Sequence, residues 1–465
     1  MQIHRTSKKP LGVFALIMIN VIAIDSLRNL SLNAQLGFGV VFYYLIAGLV
    51  FLVPCGLITA QLATALPQSG GVYIWVKQAF GPRWGFFNVW LQWIYNVFWY
   101  PTILVFIASN LAYLIHPALA HDAHFMILTA IVMFTVATII SSLGMQVSGA
   151  LSIISALLGT LVPMLLVIGL ACVWLSTHPI SAGVPLQPAS DAPTASIWHA
   201  LAIFNNVLFS LMGLEMSAVH AGDVRNPRRD YPKALLFSSI MILLTLTLAS
   251  LALLVIIPHG QLDSITGIDQ ALSAFLNQLS LPHWLPVAVG LIILGAFGGM
   301  AAWVVGPTKA LAIAADDGCA PKCFQMTGKA PRSVLYTQWA IVLLLCASYQ
   351  AFPTITLGYA LLSDLTSEIA LLFYVVFFVA AIRLSHTMPS SRNHFSIPGG
   401  KLGTWLVGGI GIVTCVVAMI AGLDLPQQLK LMSPGTAAWI MMTLLLIITV
   451  VPFWLSRKSG VKSIQ

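Results

Sequence analysis

The chain is short of charge. Only 7% of its 465 residues are Asp, Glu, Lys or Arg, whereas 59% are hydrophobic. Soluble globular proteins carry about 25% charged residues, so this chain cannot clothe a water-facing surface. That excludes an ordinary cytosolic enzyme, and the high apolar content excludes a disordered chain. Acid is scarcest of all: of 13 acidic residues only two are glutamates, Glu215 and Glu368. Cysteine is sparse as well. Most of the six cysteines lie inside apolar runs and only Cys319 and Cys323 share a loop, so neither a disulfide framework nor a metal site is expected. No G-x-x-x-x-G-K-[ST] phosphate loop occurs, so ATP-driven work within this chain is excluded.

What the chain has instead is long apolar runs. A hydrocarbon core of about 30 Å needs about 20 helical residues to cross. Runs of sufficient length recur at 10–35, 39–66, 84–115, 125–143, 149–176, 197–221, 233–257, 285–315, 334–351, 355–381, 403–424 and 435–456. They predict an all-α integral membrane protein with 12 transmembrane helices. The third and eighth runs are over-long, which implies tilt or short flanking helices. Arg5, Lys8 and Lys9 before the first run resemble the start of a signal peptide. That run passes Asp25 and Arg28 with no small-residue cleavage site, so it reads as a retained first helix.

The net charge of +8 points either to nucleic acid or to membrane orientation, and position decides. Alternate loops, counted from the N-terminus, hold 19 of the 21 basic residues; Lys430 is outside that set and Arg28 is inside the first run. Asp122, Asp191, Asp263, Asp269 and Asp424 fall in the other loops. Basic residues gather on the cytoplasmic side of membrane proteins, so both termini are expected there and no nucleic-acid partner is expected. The longest loop on the outer side, 258–284, has Leu262, Ile265, Ile268, Leu272, Phe275 and Leu276 at helical spacing. It predicts a short amphipathic helix capping the bundle.

Charges buried in a membrane usually face a cavity or a partner, because each costs roughly 2.5–3.5 kcal/mol at the helix centre. The embedded set is Asp25, Arg28, Glu215, Asp364 and Glu368. Asp25 and Arg28 are three apart and would share a helical face, either as a structural ion pair or with Arg28 free for a substrate carboxylate. They lie in a stretch rich in Asn and Ser (Asn20, Ser26, Asn29, Ser31, Asn33) that weakens a helix. The sixth run carries Ser210, Gly213, Glu215 and Ser217, a second weak point about 190 residues on. Interrupted helices at matching places in two halves mark a transporter site. The division expected is a first five-helix repeat at 10–176, a second, inverted one at 197–381, and two peripheral helices at 403–456. Asp364 and Glu368, one turn apart, suit proton coupling or a cationic amine. Of the aromatic run Trp90, Trp93, Tyr95, Trp99 and Tyr100, packing is the default role.

Several segments then resemble the amino acid–polyamine–organocation transporter family over nearly the whole chain. They are LGVFALIMIN (11–20), SGGVYIWVKQAFGPRWGF (69–86), GLE with NPRRDYPKA (213–215, 226–234), WVVGPTKALAIAADDG (303–318) and FSIPGGK (395–401). The nearest likeness is to bacterial glutamate/γ-aminobutyrate antiporters. The resemblance implies a LeuT-like 5+5 inverted-repeat core with substrate held between unwound helices 1 and 6. Carried over, the carboxylate site falls on Ile24, Asp25 and Ser26, and the amine site on Ser210, Met212 and Gly213. Trp303, thirteen residues before Asp316, would line the cavity and Glu215 would gate it or sense protons. Two features depart from the family. No glycine lies between Gly12 and Gly37, where helix 1 should unwind, and no lysine lies in the fifth run to replace a sodium ion. Few residues follow the last run, so a C-terminal plug is not expected.

The function expected is secondary active transport of amino acids or their decarboxylated amines across the bacterial inner (plasma) membrane. The rivals are a polyamine or organic-cation carrier and a non-transporting amino acid sensor of the same fold. The partners expected are a small-molecule substrate and the lipid bilayer. Protons are a candidate coupling ion and a homodimer a candidate assembly. No cofactor, metal or catalytic residue is expected.

Overall fold

The computed structural model describes residues 11–68, 70–143, 153–177, 197–257, 261–326, 330–352, 354–387, 394–422 and 434–458. Among these the chain is helical, with one isolated bridge pairing Leu11 and Val224. Ten helical spans are long and apolar enough to cross a membrane, and two shorter apolar helices lie in the sixth and twelfth runs. The spans match the hydropathy runs because burial in lipid imposes one rule: every backbone polar group must be satisfied within its own helix.

The first span is split into α1 (Val13–Ile24), a 3₁₀ turn Leu27–Asn29 and α2 (Leu30–Ala34). The second joins α3 (Gly39–Ala47) through a π turn to α4 (Val53–Ala65). A short helix α5 (Val72–Phe80) ends at Gly81, whose φ of 92° only glycine adopts cheaply, and α6 (Pro82–Ile115) begins there. At 34 residues α6 is about 51 Å long, so it must tilt or protrude. Then come α7 (Ala123–Ser142) and α8 (Val162–Thr177), the latter preceded by a π turn Ser155–Leu161.

The sixth span is α9 (Ile197–Phe209), a break, and a 3₁₀ segment Leu214–Asp223. α10 (Pro227–Ile256), the loop helix α11 (Gly267–Gln278) and α12 (Leu285–Asp316) follow. The chain continues with α13 (Arg332–Ser348), α14 (Ile355–Thr387), α15 (Gly400–Gly422) and α16 (Pro434–Lys458). α14 is 83% buried in its apolar window and α15 only 28%, so α14 is a central helix and α15 a peripheral one.

α1 is wedged between α10, α12, the π turn before α8 and the 3₁₀ half of the sixth span. The two broken helices therefore lie side by side in the middle of the bundle. On the basic face α5 is tied to the end of α12, where the Lys77 ammonium meets Asp317 Oδ2 at 2.6 Å and the Tyr73 hydroxyl donates to the same oxygen at 2.7 Å. On the opposite face α11 is the amphipathic cap, with Leu262, Ile265, Ile268, Leu272, Phe275 and Leu276 all buried.

One crossing is set by glycine. A Cβ on Gly295 of α12 would overlap the Gly159 backbone in the π turn, and a Cβ on Gly159 would overlap Gly295. Gly295→Ala should therefore destabilise the bundle by about 2 kcal/mol or more, because these backbones have no room to give. A thermal-unfolding midpoint equal to that of the parent protein would refute this crossing.

Candidate functional site: a cavity between two broken helices

Helix 1 breaks at Asp25 and Ser26 without a glycine. Asp25 (φ −75°, ψ 82°) caps α1, and Ser26 is extended (φ −108°, ψ 121°). The break leaves the amides that open the next segment, those of Ser26, Leu27 and Arg28, without acceptors in a helix. Among the freed carbonyls, that of Ala23 accepts from Trp303 Nε1 at 3.0 Å.

The expected meeting of Asp25 and Arg28 does not occur, because the i, i+3 relation requires a continuous helix and the break lies between them. Asp25 turns to α10, where Thr245 Oγ1 donates to its Oδ2 at 2.9 Å; its Oδ1 has no partner among the described residues. Arg28 turns to α6 and α14. Its Nη1 lies 3.0 Å from Thr102 Oγ1, 3.1 Å from the Tyr359 hydroxyl and 3.4 Å from Ser363 Oγ. Its guanidinium also lies over the rings of Phe209 and Tyr359, at 5.6 and 5.4 Å. No carboxylate pairs with it among the described residues, although it is only 2% exposed. Hydroxyls orient a guanidinium but leave its charge uncompensated.

Helix 6 breaks at Gly213 (φ 130°, ψ 0°). Its amide donates to the Tyr374 hydroxyl at 2.8 Å, and that hydroxyl donates to Glu215 Oε2 at 2.6 Å. Glu215 is thus tied through α14 to the freed backbone of its own helix. Tyr44 links the two breaks: its hydroxyl accepts from Asn33 Nδ2 at 2.7 Å and from Ser210 Oγ at 3.3 Å.

Between the breaks lies a narrow cavity enclosing about 440 Å³ of space, part of it open to solvent. Ile24, Ser26, Arg28, Met212 and Trp303 line it, joined by Tyr95, Asn96, Trp99 and Phe209. A second lobe shares Ser26, Trp99 and Trp303 and reaches Asp25, Thr160 and Gly299. The cavity therefore has a cation at one end and a carboxyl at the other.

The other anticipated residues lie off the cavity. Ser210 bonds Tyr44, and Gly213 supports Trp303, whose Cζ2 is 3.0 Å from where a Gly213 Cβ would stand. Glu215 lies behind Tyr374. Asp364 and Glu368 line neither lobe. Glu368 accepts from Asn205 Nδ2 at 3.3 Å on α9 and abuts Gly422 of α15, and Asp364 Oδ2 has no partner among the described residues. Within the aromatic run of α6, Tyr95 and Trp99 face the cavity, while Trp90 donates to the Ile448 carbonyl of α16 and serves packing. Thr102, Thr245, Tyr359, Ser363 and Tyr374 gave no signal in the sequence, since a lone hydroxyl in an apolar helix usually bonds its own backbone.

Comparison with a solved structure defines the fold. The fold matches that of MhsT in complex with L-phenylalanine, with a TM-score of 0.59 at 12% identity, over 88% of this chain and 98% of that one. The bundle is thus the LeuT-like fold. A sequence model of the family described as amino acid permease matches residues 10–452, and the chain belongs to that family. It is 45% identical to an uncharacterized transporter of Legionella pneumophila, over 91% of this chain and 92% of the relative. It is 26% identical to a glutamate/γ-aminobutyrate antiporter of Lactococcus lactis, over 89% and 83%. The protein is therefore a multi-pass membrane protein of a transporter family and not an enzyme.

Proposed function

We propose that the protein is a secondary active transporter that carries an amino acid through this cavity by alternating access, exchanging it for a decarboxylated amine or coupling it to protons. The observation that carries the reading is Arg28: a buried cation with no acid partner among the described residues, at a helix break, lining the cavity between the two interrupted helices. A substrate carboxylate supplies the missing counter-charge, assisted by the free amides beside it. Asp25, in the second lobe, then faces the amine end. Trp303 forms one wall between the lobes, and Glu215, through Tyr374, links occupancy to the shape of helix 6.

Glu368 and Asp364, two acids one turn apart with no basic side chain paired to either among the described residues, are the candidate proton carriers away from the cavity. The likeness to glutamate/γ-aminobutyrate antiporters supports exchange. The charge asymmetry supports a plasma-membrane protein with both termini cytoplasmic, and the matching breaks in the first and sixth spans support the repeats 10–176 and 197–381 with 403–456 at the periphery.

The test is counterflow in proteoliposomes loaded with unlabelled amino acids or amines, with and without a pH gradient. Accumulation of labelled amino acid is the expected result. Flux of polyamines alone would replace the reading with an organic-cation carrier. Saturable binding with no flux of any solute would make the protein a sensor.

A further inference from the structure

We propose that Asp269, on the outer helix α11, is a proton-binding site that couples the seating of this helix over helix 1 to the uptake of one proton. The inference rests on the transporter reading only for its orientation and purpose.

α11 is amphipathic, and its buried face runs through Ile268, Leu272, Phe275 and Leu276, with Ile265 buried in the turn before it. Asp269 occupies a position on that same face, one residue from Ile268 and three from Leu272, and is 0% exposed. Neither carboxyl oxygen has a partner among the described residues. An ionised carboxylate in such a seat is strongly disfavoured. The seat is compatible with the neutral acid, and the charged form requires the helix to lift into water.

Charged and titratable groups on the segments around α11 do not reach Asp269. Asp263 accepts from the amides of Ile265 and Thr266 at 2.8 and 2.7 Å. His283 and Cys172 are exposed. Asp25 is held by Thr245, and Arg28 by Thr102 and Tyr359. Arg228, Arg229, Asp230, Tyr231 and Lys233 of α10, and Lys309 and Asp316 of α12, belong to the far, basic-face ends of their helices. Burial alone acts on Asp269, and it raises the carboxyl from 3.8 to about 8.

Seating matters because this loop is fastened to the outer half of helix 1. Gln35 Nε2 donates to the Leu262 carbonyl and to Ser264 Oγ, both at 3.1 Å. Gly267 packs on Ser31, whose Oγ would be 2.8 Å from a Cβ there. α11 also rests on α8, α10 and α12. When it lifts, it uncovers α2, the continuation of the segment that carries Arg28.

The sign of the pH dependence follows. A hydrated Asp269 titrates at the ordinary value near 4, and the seated one near 8. Seating is fully favoured below the lower value and weakens by about tenfold per pH unit up to the upper one, where the loss levels off. Between these limits each closure takes up one proton from the outer side.

Hydrogen exchange of the full chain in lipid nanodiscs from pH 5 to 8.5, corrected for the intrinsic rise of exchange with pH, reads this directly. Residues 262–278 and 30–35 should open about tenfold more per pH unit up to about pH 8. In Asp269→Asn they should stay protected with no slope, and Asp269→Leu, which fits the apolar face, should behave the same if the amide variant fails to insert. A flat parent profile, or an unchanged slope in the variants, overturns the proposal. No substrate is needed, so the outcome is independent of whether transport is found.

Discussion

Replacing Arg28 with alanine should weaken binding of amino acids by on the order of a hundredfold, while binding of their decarboxylated amines changes by only a few-fold. A buried charge-assisted hydrogen bond contributes about 1.5–3 kcal/mol, and each 1.4 kcal/mol is a factor of ten in affinity. The loss is selective because only one of the two ligands brings a carboxylate to the guanidinium. Thr102, Tyr359 and Ser363, which hold Arg28 in place, are hydroxyls that do not depend on it for charge balance. Arg28→Lys should recover little, since one ammonium lacks the fork that reaches the hydroxyls and a substrate together. Matched binding isotherms for an amino acid and its amine decide the matter. An equal loss for both, with a lower unfolding temperature, would make Arg28 a structural tie between helix 1, α6 and α14.

Gly213→Ala should reduce transport by more than a hundredfold in protein that still inserts. At φ 130° an alanine is strained, and its Cβ would lie 3.0 Å from Trp303 Cζ2, 3.1 Å from Ile24 Cγ1 and 3.3 Å from the Ala23 carbonyl. Backbone strain of about 1–3 kcal/mol and overpacking of similar size act together on one atom. Relief requires helix 6 to rotate its amide away from Tyr374 or Trp303 to leave its place over Ala23. Either movement disturbs the wall of the cavity. Exchange at the parent rate would show that the break at Gly213 has no part in transport.

The same residues show how far a linear reading can go. Both helix breaks were visible as polar, weakly helical stretches, and the break in helix 1 forms with Asp25 and Ser26 in place of glycine. Arg28 was visible as a charge too costly to bury without purpose. Its separation from Asp25 was not, because spacing along a helix has no meaning across a break. Glu215 stood out as one of two glutamates, but Tyr374, which joins it to Gly213, did not. Asp269 counts in the sequence as one of the outer-loop acids, yet it is as fully buried as any residue in the span interiors. Its position on the apolar face of α11 was the available signal.

The scarcity of charge carried the class of the protein and its twelve apolar runs, and the placing of the basic residues carried the orientation expected of it. These follow from one-dimensional rules: a bilayer demands about 20 apolar residues per helix and sorts basic loops to one side. Which polar groups meet was settled only by the packing of helices far apart in the chain. Arg28 with Thr102 and Tyr359, Asp25 with Thr245, and Glu215 with Tyr374 are separated by 74 to 331 residues. In lipid those contacts are selected by three-dimensional complementarity, since an unmet polar group there costs several kcal/mol wherever its partner stands in the chain.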